Sequence, residues 1–334
     1  MKIATAPLRS TNGSSRDLLI GLDIGGTKIE ALAVDQNFIT LGRFNHLTDT
    51  SSPENFIASV TDAIYQVLNQ AHAMPSQIIG IGIGIPGQVN EKTGEVRLAA
   101  NLNLTTYPLG ETISAIFNVP TSIENDVRLA AIGIYHWQKM NKPVESIAYL
   151  SIGTGVAAGV IINGRLLRGS HGMAGEIGHI TVDPNGVLCN CGARGCLEAI
   201  VSGPAIVQQA INAIQFNIPL NEVHAGHVYR AAADRNPSAQ VIVQRVSDNI
   251  SRAIQWLIMT YDVDRVVLGG GVSGAGTAFL TPILSALANY RAQSDLFAAM
   301  LQESKIVLLP TGYNAGTWGA VYLTNEGDRQ LIKG

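Results

Sequence analysis

The sequence predicts an α/β chain built as two domains, and three observations carry that expectation. At 334 residues the chain exceeds the size at which one hydrophobic core usually keeps growing. Apolar runs of strand length alternate with amphipathic stretches of helical period. One local design, an apolar strand that enters a Gly/Thr turn and returns as a second strand, occurs twice, as DIGGT at 23–27 and SIGTG at 151–155. The spacing of these two units suggests an internally duplicated architecture with one phosphate loop per half.

Bulk composition narrows the function classes. Hydrophobic residues make up 46% and charged residues 14%, well under the usual quarter, so much surface is expected to be buried, a subunit interface included. A net charge of -3 argues against nucleic acid or an anionic membrane as the main partner. No apolar run reaches the roughly 18 residues that cross a bilayer. Residues 1–16 contain Lys2 and Arg9 but no apolar core segment, and are expected to form a flexible tail rather than a signal peptide. Three thiols, an odd number confined to one stretch, fit a reducing cytoplasm.

Taken in order, an apolar run over 18–23 ends in Asp23 and is followed by Gly25, Gly26 and Thr27, then by a second apolar run. Glycines at the bend let backbone N–H groups converge on an anion, Thr27 adds a hydroxyl, and Asp23 can hold Mg²⁺ through water. An ordinary tight turn is the competing reading. Phe56, Val60, Ile64 and Val67 recur at helical spacing and predict a helix over 53–73. The run IIGIGIGI over 78–85 is a buried strand whose glycines permit close approach by another backbone or a ligand. A loop holding Ala100, Asn101 and Asn103 follows, then a helix over 109–117.

The segment TSIEND is expected to be a strand ending in Asn125 and Asp126, with a helix over 127–137 behind it. Asp126 is either the N-cap of that helix or a group able to accept a proton from a substrate hydroxyl. Strands over 147–152 and 156–162 flank the second Gly/Thr turn. Helices are expected over 203–216, 221–233 and 237–261, with His224 and His227 as surface or packing residues on the second of them. A buried strand over 263–268 leads to Gly269, Gly270 and Gly271, against which a flat ring or a phosphate can lie. A helix, a strand over 306–309 and a final helix over 315–324 complete the pattern.

The stretch 175–198, GEIGHITVDPNGVLCNCGARGCLE, holds all three cysteines with one histidine and two glutamates. His179, Cys189, Cys191 and Cys196 supply the four nitrogen and sulfur donors of a tetrahedral zinc site, with glycines that let the chain turn back between them. Four protein ligands leave no open position, so the expected site is structural. A Cys189/Cys191 redox pair or unrelated thiols are the alternatives. One His179 ring nitrogen on the metal leaves the other as a donor, while Glu176 and Glu198 offer acceptors, a set suited to a polyhydroxylated ligand. Solvated loop carboxylates are the plainer reading of those two glutamates.

Together DIGGT, IEND, SIGTG, AGEIGH, CNCGARGCLE and VVLGGGV resemble the ROK family of sugar kinases and repressors, within the actin-like, ribonuclease-H-like ATPase superfamily. The resemblance spans about residues 17 to 325. It implies two actin-like α/β domains, each on a mixed five-stranded sheet, with the active site in the cleft between them. The first domain would cover 17–125 with the C-terminal helix at about 315–334, and the second 126–314 with the zinc knot.

By the same pattern Gly25, Gly26, Thr27, Lys28, Thr154 and Gly155 would serve the ATP phosphates, Gly270 and Gly271 the adenosine, and Asp23 the Mg²⁺. Gly87, Ala100, Asn101, Asn125, Asp126, Glu176, His179 and Glu198 match sugar-binding positions, and Asp126 matches the catalytic base. The implied reaction is ATP-dependent phosphorylation of a hexose, foremost the C6 hydroxyl of glucose. N-acetylmannosamine, N-acetylglucosamine, mannose and fructose are the alternative acceptors, and a homodimer or homotetramer is the implied assembly. Arg128 and Gly133-Ile134 depart from the pattern, and Gln88 lies where members differ in the sugars they accept.

Two readings of other classes are weighed against this one. A sugar-responsive repressor of the same family would carry a helix-turn-helix domain ahead of the first turn, and the 17 residues before Leu18 are expected to be too few for it. A zinc-ribbon interaction module would show no ATP turnover with any sugar.

Overall fold

The computed structural model describes residues 17–141 and 143–324. The expected tail over 1–16 lies outside the described residues. The described residues form two compact units: the first comprises residues 17–137, 168–172 and 314–324, the second 138–141, 143–167 and 173–313.

In the first unit, strands β1 (Leu18–Ile24), β2 (Lys28–Asp35), β3 (Thr40–Leu47), β4 (Ile78–Ile85) and β8 (Thr121–Asn125) form a mixed sheet of order β3-β2-β1-β4-β8. β1 and β2 pair antiparallel around the DIGGT turn, β3 runs antiparallel to β2, and β4 and β8 add parallel to β1. A smaller antiparallel sheet of β5 (Gln88–Asn90), β6 (Glu95–Ala99) and β7 (Leu104–Tyr107) replaces most of the loop expected before residue 109. Helices α1 (Pro53–Ala71), α2 (Leu109–Phe117), α3 (Asp126–Asn141) and the last described helix, α10 (Ala315–Thr324), complete the unit; the last residues of α3 belong to the second unit.

α1 starts where Ser52 accepts the Asn55 N–H (3.2 Å) ahead of Pro53, and it buries Phe56, Val60, Ile64 and Val67 as their spacing predicts. It stops at Ala71 because His72 takes a left-handed conformation, φ 51°. The glycines of β4 serve close packing. A Cβ on Gly82 would lie 1.9 Å from the Ala320 carbonyl oxygen, so the α10 backbone rests on the strand itself.

The second unit repeats this layout. Strands β9 (Ile147–Ile152), β10 (Val156–Ile162), β11 (Arg165–Leu166), β12 (Arg265–Gly269) and β13 (Ile306–Leu308) take the order β11-β10-β9-β12-β13, with β10 antiparallel to both neighbours and β12 and β13 parallel to β9. The duplication read from the two Gly/Thr turns therefore extends to strand order and direction.

Helices α4 (Glu198–Val201), α5 (Gly203–Ile211), α6 (Ala225–Ala233), α7 (Pro237–Tyr261), α8 (Thr277–Arg291) and α9 (Asp295–Met300) surround that sheet. α7 has the expected ends: Asn236 accepts the Ala239 N–H (3.0 Å) ahead of Pro237, and Asp262 is left-handed. α5 stops at Ile211, short of 216, and α6 starts only at Ala225, so His224 precedes the helix rather than riding on it.

The two compact units part at Trp137/Gln138, within α3. α3 stays largely with the first unit because Cβ atoms on Gly133 and Gly319 would lie 2.2 Å and 1.9 Å from the backbone oxygens of Ala315 and Leu129, so α3 and α10 cross with backbones in contact. Among the described residues no helix is long and apolar enough to cross a membrane.

Candidate functional site

The first unit gathers one group of expected site residues at the ends of β1, β4 and β8. The DIGGT hairpin is closed by the Gly25 N–H to the Lys28 carbonyl (2.8 Å), and Thr48 donates from its hydroxyl to the Gly25 carbonyl (2.7 Å) and from its N–H to the Thr27 carbonyl (2.9 Å). Gly26, Thr27 and Lys28 are exposed at the tip, and Lys28 pairs with Glu30 on the returning strand. Asn101, on the short 3-10 turn Ala100–Leu102, lies against this hairpin: a Cβ on Gly26 would stand 3.3 Å from the Asn101 Cβ.

Asp23, next to last in β1, lies beneath the first turn of α10, where a Cβ on Gly316 would fall 2.1 Å from its Oδ2. Burial, with the Asp126 and Glu30 charges adding and Lys28 opposing, raises its carboxyl to about 7. Asp23 and Asp126 therefore share one electrostatic field. Glu30, which the sequence reading passed over, is part of it, and Asn314 donates to that glutamate.

Asn125 and Asp126 meet at the corner between β8 and α3. Asn125 is the cap: its Oδ1 accepts the N–H groups of Val127 (3.1 Å) and Arg128 (3.2 Å), and its Nδ2 donates to the Gly87 carbonyl (3.2 Å). Asp126 is the first residue of α3, partly exposed, with Oδ1 near the Val127 N–H (2.9 Å). Gly87 is exposed with φ 94°, and a Cβ there would strike the Leu98 carbonyl oxygen at 2.1 Å. Glu124, just before, is fully buried and receives Arg128 Nε (2.8 Å) and Arg168 Nε (2.7 Å), which accounts for the unexpected arginine at 128. A contact across 44 residues leaves no local pattern to read.

The second unit assembles the other group. The β9–β10 turn is closed by the Gly153 N–H to the Gly155 carbonyl (2.9 Å), with Thr154 and Gly155 exposed. The glycine run after β12 packs beside it. Gly270 has φ 82°, and a Cβ there would sit 2.4 Å from the Ile152 carbonyl oxygen, so only glycine brings the two turns together. Gly271 is exposed, and its nitrogen lies 3.7 Å from where a Gly153 Cβ would stand.

The AGEIGH stretch runs along β10: Ala158 donates its N–H to the Gly175 carbonyl (2.8 Å), and a Cβ on Gly178 would be 2.1 Å from the Val156 carbonyl oxygen. Glu176 and His179 are exposed at either end of the 3-10 turn Ile177–His179. The chain then folds back through bridges between Thr181 and Cys196 and between Leu188 and Arg194.

This fold brings His179, Cys189, Cys191 and Cys196 together, with all four donor atoms within 4.8 Å of one another. The Cys191 and Cys196 sulfurs are 3.6 Å apart, and Cys189 Sγ is 3.8 Å from His179 Nδ1. Tetrahedral bonds of about 2.0–2.3 Å imply donor separations of about 3.3–3.8 Å, which these edges match. Burial first, then Cys191 and Cys189, pushes the Cys196 thiol up to about 12, while hydrogen bonding from Ala193 and then Cys189 holds Cys191 below the usual thiol range. The donor set fits a soft divalent cation. Glu198, at the start of α4, connects this cluster to the second turn: its Oε2 accepts the Val156 N–H (2.9 Å) and its Oε1 lies 4.0 Å from Cys189 Sγ.

A cavity of about 550 Å³ opens among α6, α7 and α8, lined by Tyr229, Gln240, Gln244, Thr277 and Thr281 among others. The Tyr229 hydroxyl is buried without a hydrogen-bond partner, and burial pushes it above the ordinary phenol range.

Comparison with known proteins places the chain among sugar kinases in sequence and fold. The chain is 30% identical over 326 residues to a glucokinase of Halalkalibacterium halodurans, covering 94% of this chain and 97% of that one. It is 32% identical over 254 residues to an N-acetylmannosamine kinase of Vibrio cholerae, covering 76% and 83%. Among solved structures, a ROK family glucokinase from Streptomyces griseus in complex with glucose and AMPPNP superposes with a TM-score of 0.77 at 29% identity, covering 94% of this chain and 99% of that one. With the ROK family model matching residues 19–326, nearly the whole of the described fold, the chain belongs to the ROK family.

Proposed function

We propose that this chain transfers the γ-phosphate of ATP to a hexose hydroxyl, most directly the C6 hydroxyl of glucose. The observation that carries this reading is the strand-to-helix corner at Asn125–Asp126. Asn125 Oδ1 accepts the Val127 and Arg128 N–H groups, and Asp126, whose Oδ1 also accepts the Val127 N–H, places its carboxylate at the strand end in the same field as Asp23. Phosphoryl transfer asks a protein for positioning and charge neutralisation more than for covalent chemistry. Asp126 would orient the sugar hydroxyl and take its proton, a role worth about 10² to 10⁴ in rate.

The remaining groups take roles consistent with that reaction. Gly25, Gly26, Thr27, Lys28, Thr154 and Gly155 would serve phosphate oxygens through backbone N–H groups, hydroxyls and the ammonium. Mg²⁺, when bound, neutralises phosphate charge, and Asp23 would hold it through water. Gly270 and Gly271 would lie against the adenosine. The cavity among α6, α7 and α8, whose lining includes Thr277 six residues after Gly271, has amide and hydroxyl groups suited to a neutral heteroaromatic base. Gly87, Ala100, Asn101, Asn125, Glu176, His179 and Glu198 would bind the sugar.

Zn²⁺ on His179, Cys189, Cys191 and Cys196 would order the loop that carries Glu176 and Glu198, and Nδ1 on the metal side leaves Nε2 of His179 for the sugar. The matching strand order of the two sheets supports reading each unit as one actin-like, ribonuclease-H-like domain. Zinc-bound thiolates fit a cytoplasmic location, and a low charge content fits a homodimer or homotetramer.

An N-acetylmannosamine kinase is the second reading, favoured by the Vibrio cholerae relative. A coupled ADP-release assay over a panel of hexoses and N-acetylhexosamines decides between them. The expected result is the highest kcat/KM with glucose; a preference for an N-acetylhexosamine selects the second reading, and no turnover with any sugar rejects both.

A further inference from the structure

We infer that Arg168 and Arg128 are positioning residues that hold Asp126 for proton transfer by gripping Glu124, an inference that rests on reading Asp126 as the base. Glu124 is the next-to-last residue of β8, and it is 0% exposed. Its Oε1 accepts both Arg128 Nε (2.8 Å) and the backbone N–H of Asn125 (2.9 Å), and its Oε2 accepts Arg168 Nε (2.7 Å). One buried carboxylate thereby fixes the backbone on the strand side of Asp126, while the Asn125 cap fixes the helix side.

Arg168 does not come from a neighbouring element of the sheet. It opens the segment 168–172, which belongs to the first unit although its flanks belong to the second. Arg128 Nη1 donates to the Gly172 carbonyl (2.7 Å), so this five-residue segment is bound at both ends by the same ion cluster. Charge-assisted bonds of this length to a fully buried carboxylate are directional and strong, and Arg128 is itself 3% exposed. Such a cluster is weak evidence for stability, because replacing it by apolar packing is often neutral. Its use here is geometric: it fixes the corner from which the Asp126 side chain departs, and misplacement of a reacting group by about 1 Å costs about 10² in rate.

The test is a set of kinetic cycles on the full chain with ATP and glucose. Arg168→Gln is expected to lower kcat about 10²-fold while KM for ATP holds, and Arg128→Met to lower it by a similar factor. In an Asp126→Asn background the Arg168→Gln change is expected to add no further loss, because a residue acting through Asp126 has nothing left to position. If Arg168→Gln fails to fold, the pair Glu124→Gln with Arg168→Gln removes one charge of each sign and carries the same expectation. Unchanged kcat in Arg168→Gln, or losses that multiply in the double variant, overturns the positioning role alone. Full turnover in Asp126→Asn by itself removes the base, and the positioning role with it.

Discussion

Asp23 provides a sharp physical test, since its raised carboxyl ties stability to pH in a fixed direction. An ordinary aspartate ionises at 3.8, and this one at about 7, because burial comes first and the Asp126 and Glu30 charges add to it. Between those values the folded chain holds a proton that the unfolded chain has lost, so stability falls as pH rises through the window and is level above it. The full shift corresponds to about 4 kcal/mol, and the partial exposure of Asp23 makes that a ceiling. Asp23→Asn removes the titration while keeping the shape. Thermal melts of wild type and variant from pH 4 to pH 8.5 should coincide near pH 4 and diverge toward pH 7, the variant melting higher. Millimolar Mg²⁺ should raise the wild-type melt above pH 7, where the carboxylate exists, and leave the variant unmoved. A melting difference that stays constant across the range would refute both the burial argument and the metal role built on it.

Further outcomes follow from the same geometry. Asp126→Asn should lose about 10² to 10⁴ in kcat while equilibrium dialysis still detects glucose binding; equal turnover would take Asp126 out of the role. Metal analysis should find one zinc per chain, and Cys191→Ser should lose the metal together with protection of the 175–198 loop from proteolysis. An active, zinc-free wild type would contradict that. Gly82→Ala should cost about 3 kcal/mol or more in denaturant melts, because its Cβ would stand 1.9 Å from the Ala320 carbonyl oxygen and α10 would have to lift off the sheet.

Much of this architecture was legible because local chemistry dictated it. The two Gly/Thr turns marked the duplication, the apolar period marked the span of α7, and the spacing of His179 and the three cysteines marked the donor cluster. β3 was not legible: an edge strand carrying Arg43, Asn45 and His46 shows no buried run, and pairing with β2 decides it. The small sheet of β5 to β7 was read as loop because its strands have 3, 5 and 4 residues. The Glu124 cluster and the segment 168–172 were hidden for another reason. They depend on contacts remote in sequence, and an arginine four residues after a glutamate looks like an ordinary exposed helix pair until its burial is known. At Asp126 both readings drew on one motif, and the share of the capping N–H groups taken by Asn125 is visible only in the side-chain geometry.

The most direct test of the central claim is the product itself. Incubated with ATP, Mg²⁺ and glucose, the purified chain should yield ADP and a single hexose monophosphate whose phosphorus couples to the C6 protons in the NMR spectrum. ADP with orthophosphate and unmodified glucose, or an ester at another carbon, would contradict the account.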